Sequence, residues 1–314
     1  MDKTPVIIFG YNRPLHLERT LTSLFANKEV RDTEAFIYID AASKEVDELK
    51  NREVISIVSN KLDFKKTTIR IREKNFGCKK NIISGVSEVL SDYKQAIIIE
   101  DDLILGKNFL NYMNNALSFY RNKEDVWHIN GYCHPQIVSN KKSASISRLV
   151  QPWGWGTWNN RWEKFIQNKS YEKNIISTLD KKLRDEFNFY DLAPYWESAL
   201  KLDQINENSI WDAYWYQTIF LNKGFTVFPQ VSHVQNIGFD GSGLHSGNNK
   251  MFDSKINTAK TVNFPDKLQE SKIYKFNTYM FYKKYRIIDY YNFHKSKFSS
   301  FSNFLEWFKK FYKE

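Results

Sequence analysis

The chain has 314 residues, 42% of them hydrophobic and 26% charged, which are values for a folded globular protein of one large domain or two ordinary ones. Its net charge is +10, but the segment from Lys272 onward carries ten basic residues against three acids, so the body is nearly neutral and a nucleic-acid surface built into the fold is excluded. Cys78 and Cys133 are the only cysteines, which excludes a disulfide framework and a cysteine-held metal cluster.

Val6 to Phe9 is expected to be a buried strand and Pro14 to Ala26 a helix, because Pro14 suits a first helical position and Leu15, Leu17, Leu21 and Leu24 fall mostly on one side. Ala35 to Asp40 reads as a second strand and Lys44 to Ser59 as a second helix. Thr67 to Ile71 makes a third strand, Lys80 to Leu90 a third helix, and Ala96 to Glu100 a fourth strand. Lys107 to Tyr120 is then helical and Val126 to Asn130 strand-like. Repeated βα units of this length give a parallel sheet with right-handed crossovers. The turns after the strands are Gly10-Tyr11-Asn12-Arg13, Asp40-Ala41-Ala42-Ser43, Glu73-Lys74-Asn75-Phe76-Gly77 and Glu100-Asp101-Asp102. They should line one rim, where open α/β sheets bind ligands.

From about Ser143 the rhythm changes to a tryptophan-rich segment, Pro152 to Trp158, followed by polar helices. Ser209 to Leu221 reads as an aromatic helix and Phe225 to Val231 as a strand, and the glycine-rich Gly238 to Gly247 is expected to be mobile. This divides the chain into a nucleotide-binding α/β half at 1–135, an acceptor-binding and catalytic half of the same domain at 136–265, and a basic aromatic helical tail at 266–314.

The most informative stretch is Ala96-Ile97-Ile98-Ile99-Glu100-Asp101-Asp102-Leu103, a short buried strand ending in three acids with no basic neighbour in sequence. Adjacent carboxylates repel one another, and a protein that gathers them usually offsets them with a cation. Oxygen ligands of this kind suit Mg²⁺ or Mn²⁺, with phosphate oxygens completing the shell. The plainer alternative is an acidic strand-to-loop turn. There is no GxGxxG and no GxxxxGK[ST], so a triphosphate cradle of the Walker type is absent. A diphosphate neutralised by a metal on Asp102 needs no glycine loop, and Asn12, Arg13 and Asp40 on the neighbouring turns are candidates for a base or ribose.

Three blocks in order resemble the glycosyltransferases of the GT-A fold, most closely the N-acetylglucosaminyltransferase I group and its bacterial relatives. They are IIIEDDLILGKNFLNYMNNAL (Ile97 to Leu117), SIWDAYW (Ser209 to Trp215) and FPQVSHVQNIGFDGSGLHSG (Phe228 to Gly247). The resemblance covers roughly Val6 to Phe252. It implies an α/β fold with a Rossmann-like, mostly parallel central sheet flanked by helices, an acceptor-side subregion and a C-terminal helical tail. The implied activity is metal-dependent, inverting transfer of a hexosyl or N-acetylhexosaminyl group from a UDP-sugar to a hydroxyl of a glycan or lipid-linked oligosaccharide, as in surface polysaccharide synthesis.

The roles follow residue by residue. Asp102 would ligate Mn²⁺ or Mg²⁺, with His245 or His233 as candidates to complete the shell or reach a phosphate. Glu100 and Asp101 would bind donor sugar or ribose hydroxyls, or ligate the metal through water. Arg13 and Asp40, with Asn12 and Asn75 on the same rim, would hold the uracil side of the donor. Asp212 would be the general base, a role that suits an acid ionised at neutral pH.

Two features depart from the family pattern. Ala213 follows Asp212 where the family often has a second acid, and Thr157 and Trp158 stand where acids follow the WGWG element of certain galactosyltransferases. Each residue also has a structural alternative. Asp40 suits an N-cap of the following helix, and Asp212 suits a helix N-terminus through the dipole. Trp153, Trp155 and Trp158 serve equally as core fillers. A sugar-nucleotidyltransferase is the alternative enzyme, though FGYNRP is a poor triphosphate loop. A non-catalytic glycan- or membrane-surface-binding protein is the alternative outside enzymes.

No apolar run approaches the roughly 18–20 residues that a bilayer span needs. Met1-Asp2-Lys3-Thr4-Pro5 does not read as a signal peptide. The expectation is a cytoplasmic protein, peripheral on an anionic membrane surface through the tail. There Phe301, Phe304, Leu305, Phe308, Phe311 and Tyr312 recur at helical spacing opposite Lys309, Lys310 and Lys313.

Overall fold

The computed structural model describes residues 3–135, 139–189, 195–205, 210–242 and 250–294, with side chains of the last helix described to Lys284. His245, the rest of 243–249, and the segment 295–314 with its aromatic repeat lie outside the described residues.

The first half follows the expected βα rhythm. Strand β1 (Val6–Gly10) is followed by α1 (Pro14–Phe25), β2 (Glu34–Ile39), α2 (Glu45–Ser59), β3 (Lys66–Ile71), α3 (Gly77–Asp92) and β4 (Gln95–Glu100). Next come a short β5 (Leu103–Leu105), α4 (Phe109–Tyr120) and β6 (Val126–Asn130). β7 (Ala144–Ser147), β8 (Trp155–Trp158), α5 (Asn159–Gln167), α6 (Lys181–Phe187) and α7 (Tyr195–Ile205) come after them. The described chain then runs through α8 (Asp212–Leu221), β9 (Phe225–Pro229), β10 (Val234–Asn236) and α9 (Lys272–His294).

The main sheet has the order β3-β2-β1-β4-β8-β6-β9-β7, and β5 pairs with β10 in a separate ribbon. Pairings among β1 to β4 are parallel, as is β6 with β9, whereas β8 runs antiparallel to both of its neighbours and β7 antiparallel to β9. The fold class is therefore α/β with a large, mostly parallel sheet flanked by helices. Alternation along β1 sends Val6 and Ile8 to the face covered by α1, α2 and α4, and Ile7 and Phe9 to the face covered by α3, α5 and α8. Both faces are buried, which is why the central strands read as continuous apolar runs.

The tryptophan-rich segment differs most from expectation. Trp155-Gly156-Thr157-Trp158 is a strand inserted at the centre of the sheet, pairing with β4 through Ala96↔Thr157 and Ile97↔Gly156. Glycine at 156 allows close packing, because a Cβ there would come within 3.1 Å of the Ala96 carbonyl and 3.0 Å of Met113 Cε, so the neighbours would have to shift. Trp155 and Trp158 are fully or almost fully buried, so they are core residues and do not form sugar platforms.

The C-terminal basic segment also begins differently from a free tail. Tyr274, Asn277, Thr278 and Tyr282 of α9 are buried. Ser271 N donates to Ile146 O at 2.9 Å, Tyr274 packs on Phe228, and Tyr282 Oη lies 3.0 Å from His134 Nε2. The first three turns of α9 thus complete the core beside β7 and β9.

Candidate active site

The carboxyl ends of β1, β2 and β4 lie side by side, since Phe9 pairs with Glu100 and Gly10 with Ile39. The turns that leave these strands are therefore brought to one corner. Thr20 of α1 fixes the acidic turn through its backbone: Thr20 Oγ1 donates to Asp101 O at 2.7 Å and accepts from Leu103 N at 3.1 Å. On the other side Ile237 N donates to Asp102 O at 2.8 Å, a consequence of the β5–β10 ribbon.

Arg13 enters this corner from the first turn and donates from Nη1 to Asp102 Oδ2 at 3.0 Å. Tyr11 N donates to Asp101 Oδ2 at 3.3 Å. Gly238 covers the pair so closely that a Cβ on it would lie 2.1 Å from Asp102 Oδ2 and 3.1 Å from Arg13 Nη1. Only glycine allows the loop backbone this approach. His16 Nε2 lies 3.1 Å from Asp240 Oδ2 and holds the next residues of that loop against α1.

Asp212 reaches the corner from the opposite side. It is the first residue of α8, and Ala213 N donates to its Oδ1 at 2.9 Å. The tryptophans explain its position. Trp211 stacks on Trp155 with centroids 5.1 Å apart, and Trp215 Nε1 donates to His128 Nδ1 at 3.0 Å. Because Trp155 belongs to the strand paired with β4, this aromatic packing sets Asp212 opposite the end of β4.

The electrostatics reflect the crowding. Burial, followed by the charges of Asp102, Asp212 and Asp101, holds the Glu100 carboxyl well above the usual carboxylate range, with Arg13 opposing. Asp101 is pushed up to about 7 by burial and the Asp102 charge. Asp102 is raised by burial, an effect that Arg13 partly offsets. Burial raises Asp212 to about 6. Cys78, at the first turn of α3, has its thiol raised by burial and then by the charges of Glu100 and Asp212, which places it beside the same corner.

Other residues of the rim are held differently from expectation. Asp40 is buried and accepts from Ala41 N at 3.0 Å, Phe76 N at 2.8 Å and Gly77 N at 2.9 Å. It thus caps the entry to α3 and not the helix that follows it in sequence. Asn12 Nδ2 donates to Asp47 Oδ1 at 2.7 Å, and Asn75 Nδ2 to Ala41 O at 2.7 Å. These three side chains tie the turns to one another. His233 is a correction: it is fully buried and stacked on Tyr112 with centroids 4.5 Å apart, away from the carboxylates.

Sequence reading missed several contributors. Tyr11 Oη bonds to Asp47 Oδ2 at 3.0 Å and lies 2.8 Å from Ser43 Oγ. Arg72 lies over the rings of Tyr38 and Phe76 and donates to Asn81 Oδ1 and Ser84 Oγ, both at 2.9 Å. The Gly10-Tyr11 and Ile71-Arg72 strand ends carried the signal, since both sit at carboxyl ends of parallel strands.

Among the described residues no three His, Cys, Asp or Glu side chains converge as a ready-made metal cage. The corner nevertheless fits a hard divalent cation in part, because its donors are carboxylate oxygens whose charged forms are disfavoured by burial and mutual repulsion, which added positive charge would relieve. Asp102 would hold such an ion, with the remaining oxygens supplied by a ligand.

No family model matches the chain, and no curated protein matches it by sequence. Solved structures similar to it include residues 1–349 of S. aureus TarS, at 14% identity and a TM-score of 0.42, covering 74% of this chain and 59% of that one. The mannosyltransferase PcManGT from Pyrobaculum calidifontis, in complex with GDP-Man and Mn²⁺, is similar at 13% identity and a TM-score of 0.36, covering 52% and 46%. A second S. aureus TarS structure matches at 15% identity and a TM-score of 0.36, covering 62% and 34%. The chain thus spans about a third to three-fifths of the length of these structures.

Proposed function

We propose that the chain is a metal-dependent, inverting glycosyltransferase that moves a hexosyl or N-acetylhexosaminyl group from a UDP-sugar to a hydroxyl of a glycan or lipid-linked oligosaccharide. The observation that carries this reading is the meeting of Glu100, Asp101 and Asp102 at the carboxyl end of a parallel strand with Asp212 at a helix start facing them. One group of acids is suited to a cation and diphosphate and the separate acid to proton transfer.

In this reading Asp212 accepts the proton of the acceptor hydroxyl as that oxygen bonds to the anomeric carbon, while the bond from that carbon to the diphosphate oxygen breaks. Its raised position near 6 leaves it mostly ionised at neutral pH yet basic enough to take a proton. Asp102 would hold Mn²⁺ or Mg²⁺, which when bound supplies positive charge to the leaving diphosphate. Arg13, already on Asp102, is placed to add its charge to the same phosphates. Glu100 and Asp101 are placed for hydroxyls of the donor. The test is UDP release from a panel of UDP-sugars with and without Mn²⁺. Release of pyrophosphate from UTP and a sugar phosphate would favour a nucleotidyltransferase, and silence in both assays a binding protein.

A lipid-linked acceptor suits the outward face of α9. Ile273 and Phe276 are 62% and 59% exposed there, and Lys272, Lys283 and Lys284 are exposed on the same side. No acid occurs between Lys272 and Lys284. Among the described residues no helix is long and apolar enough to cross a membrane. We infer surface attachment, since each basic residue near an anionic surface contributes about 1 kcal/mol. A chain ending near Gln269 would expose core, so the discriminating variant is Ile273→Ser with Phe276→Ser. Its loss of co-sedimentation with phosphatidylserine vesicles, while folding is kept, is the expected result. Equal pelleting of variant and parent would remove α9 from this role.

A further inference from the structure

A cavity of about 660 Å³ opens between the first turns of α3 and helices α7 and α8, and none of its lining residues has a part in the chemistry above. Cavities of this size hold small organic ligands. Its floor is a buried ion pair: Lys79 Nζ lies 2.7 Å from Asp203 Oδ2, with the side chains 12% and 2% exposed. Lys79 Nζ also stands 4.2 Å from the centre of the Tyr214 ring, and Asp203 Oδ1 accepts from Ile210 N at 3.0 Å. Tyr171 and Ile83 provide partly exposed apolar surface, and Lys80, Glu172 and Gln204 form an exposed polar rim.

Two properties of this lining limit the ligand. Lys79 with Asp203 and Lys80 with Glu172 balance in charge, so a phosphate or carboxylate finds no net attraction there. The rim instead offers donors and acceptors around an aromatic ring, which suits a neutral polyol that can hydrogen-bond at its edges and rest an apolar face on Tyr171. The location limits its role. Tyr214 follows Asp212 by two residues on α8, and Lys79 follows Cys78, whose thiol is raised by the Asp212 and Glu100 charges. The cavity therefore shares the first turns of α3 and α8 with the corner.

We propose that this cavity is the acceptor subsite and that it holds a neutral saccharide unit, with Tyr171 and Gln204 as specificity-determining residues. This rests on the transferase reading above and deepens it. The experiment uses the full chain and a panel of neutral p-nitrophenyl mono- and disaccharides as probes. Saccharide binding is followed by saturation-transfer NMR without donor, and UDP-sugar hydrolysis is measured separately. At least one probe is expected to bind saturably. Tyr171→Ala and Gln204→Ala should each weaken it fivefold or more, with UDP-sugar hydrolysis and thermal midpoint unchanged. The proposal is overturned if no probe binds, if neither substitution weakens binding, or if hydrolysis falls in parallel with it. Probe binding that depends on Tyr171 in a chain with no UDP-sugar hydrolysis would sink the transferase reading and leave the saccharide site standing.

Discussion

Two of the regions that bury ionisable side chains in this molecule handle the cost differently. Around the aromatic slab of the second half, His128, His134 and His233 are each fully or almost fully buried and pushed down to about 3 by burial, so they are neutral rings at physiological pH. His128 stacks on Trp155, His134 on Phe281 and His233 on Tyr112, where they pack as aromatic residues. At the end of β4 the carboxylates are pushed toward their neutral forms by one another as well as by burial. Each is raised above its usual range, and Arg13 offsets part of the repulsion. Burial is common to both regions. In the corner several acids raise one another, a crowding that a bound cation would relieve.

Asp102→Ala tests this contrast most severely. UDP release should fall by about three orders of magnitude, the scale for removing a group that stabilises developing charge, while the thermal midpoint stays level or rises. Retained activity, or a large loss of stability, would make the corner structural like the slab. The converse change, Trp155→Ala, should cost about 3–5 kcal/mol of stability for a buried tryptophan. If denaturant melts show under 1 kcal/mol, the slab is not what positions α8.

Gly238→Ala should act on the corner without touching the slab. Its Cβ would overlap Asp102 Oδ2 at 2.1 Å, so the loop must retreat. We expect KM for the donor to rise about tenfold, the scale of a 1–2 kcal/mol misfit, with the denaturation midpoint nearly unchanged. An unaltered KM would detach the loop from the donor site.

The two regions should also respond to pH with opposite signs. Asp212, raised to about 6, carries a penalty that is fully present above that pH. As pH falls from 6 toward 4 the folded protein binds this proton before the unfolded chain does, so stability gains. The histidines, lowered to about 3, do the reverse, because the unfolded chain takes protons below about 6.5 and stability falls. Asp212→Asn should therefore be more stable than the parent by about 3 kcal/mol at pH 8, with the gap closing by pH 4. In the parent, kcat/KM should fall tenfold per pH unit below about 6. A gap that widens toward acid would reverse this assignment. The smallest effect is expected for His233→Phe. Neither ring nitrogen has a hydrogen-bond partner among the described residues, so a ring of similar shape should stabilise by about 1 kcal/mol. Destabilisation would reveal a polar role for that histidine.

The βα rhythm of the first half was legible because each strand is a short apolar run closed by a polar turn, and periodicity records such burial directly. The acidic triplet was legible for a related reason, since three adjacent carboxylates after an apolar strand have few structural uses. Less legible were the residues whose partners are distant in sequence. Asp40 looked like a local cap but closes α3, because parallel pairing brings Phe76 and Gly77 to its carboxylate. Trp155-Gly156-Thr157-Trp158 has no strand-length pattern of its own and becomes a central strand only between β4 and β6.

By itself the sequence determined the α/β class, the rim on which the polar turns gather, and the strand whose end carries the acids. These depend on local pattern and on the chirality of βα crossovers, which any chain of this pattern must obey. The tertiary structure alone decided that Arg13 pairs with Asp102, that Gly238 closes over that pair, and that tryptophans place Asp212 opposite β4. Those contacts join residues 56 to 225 positions apart in sequence. They arise from packing complementarity between faces that no single stretch of sequence contains.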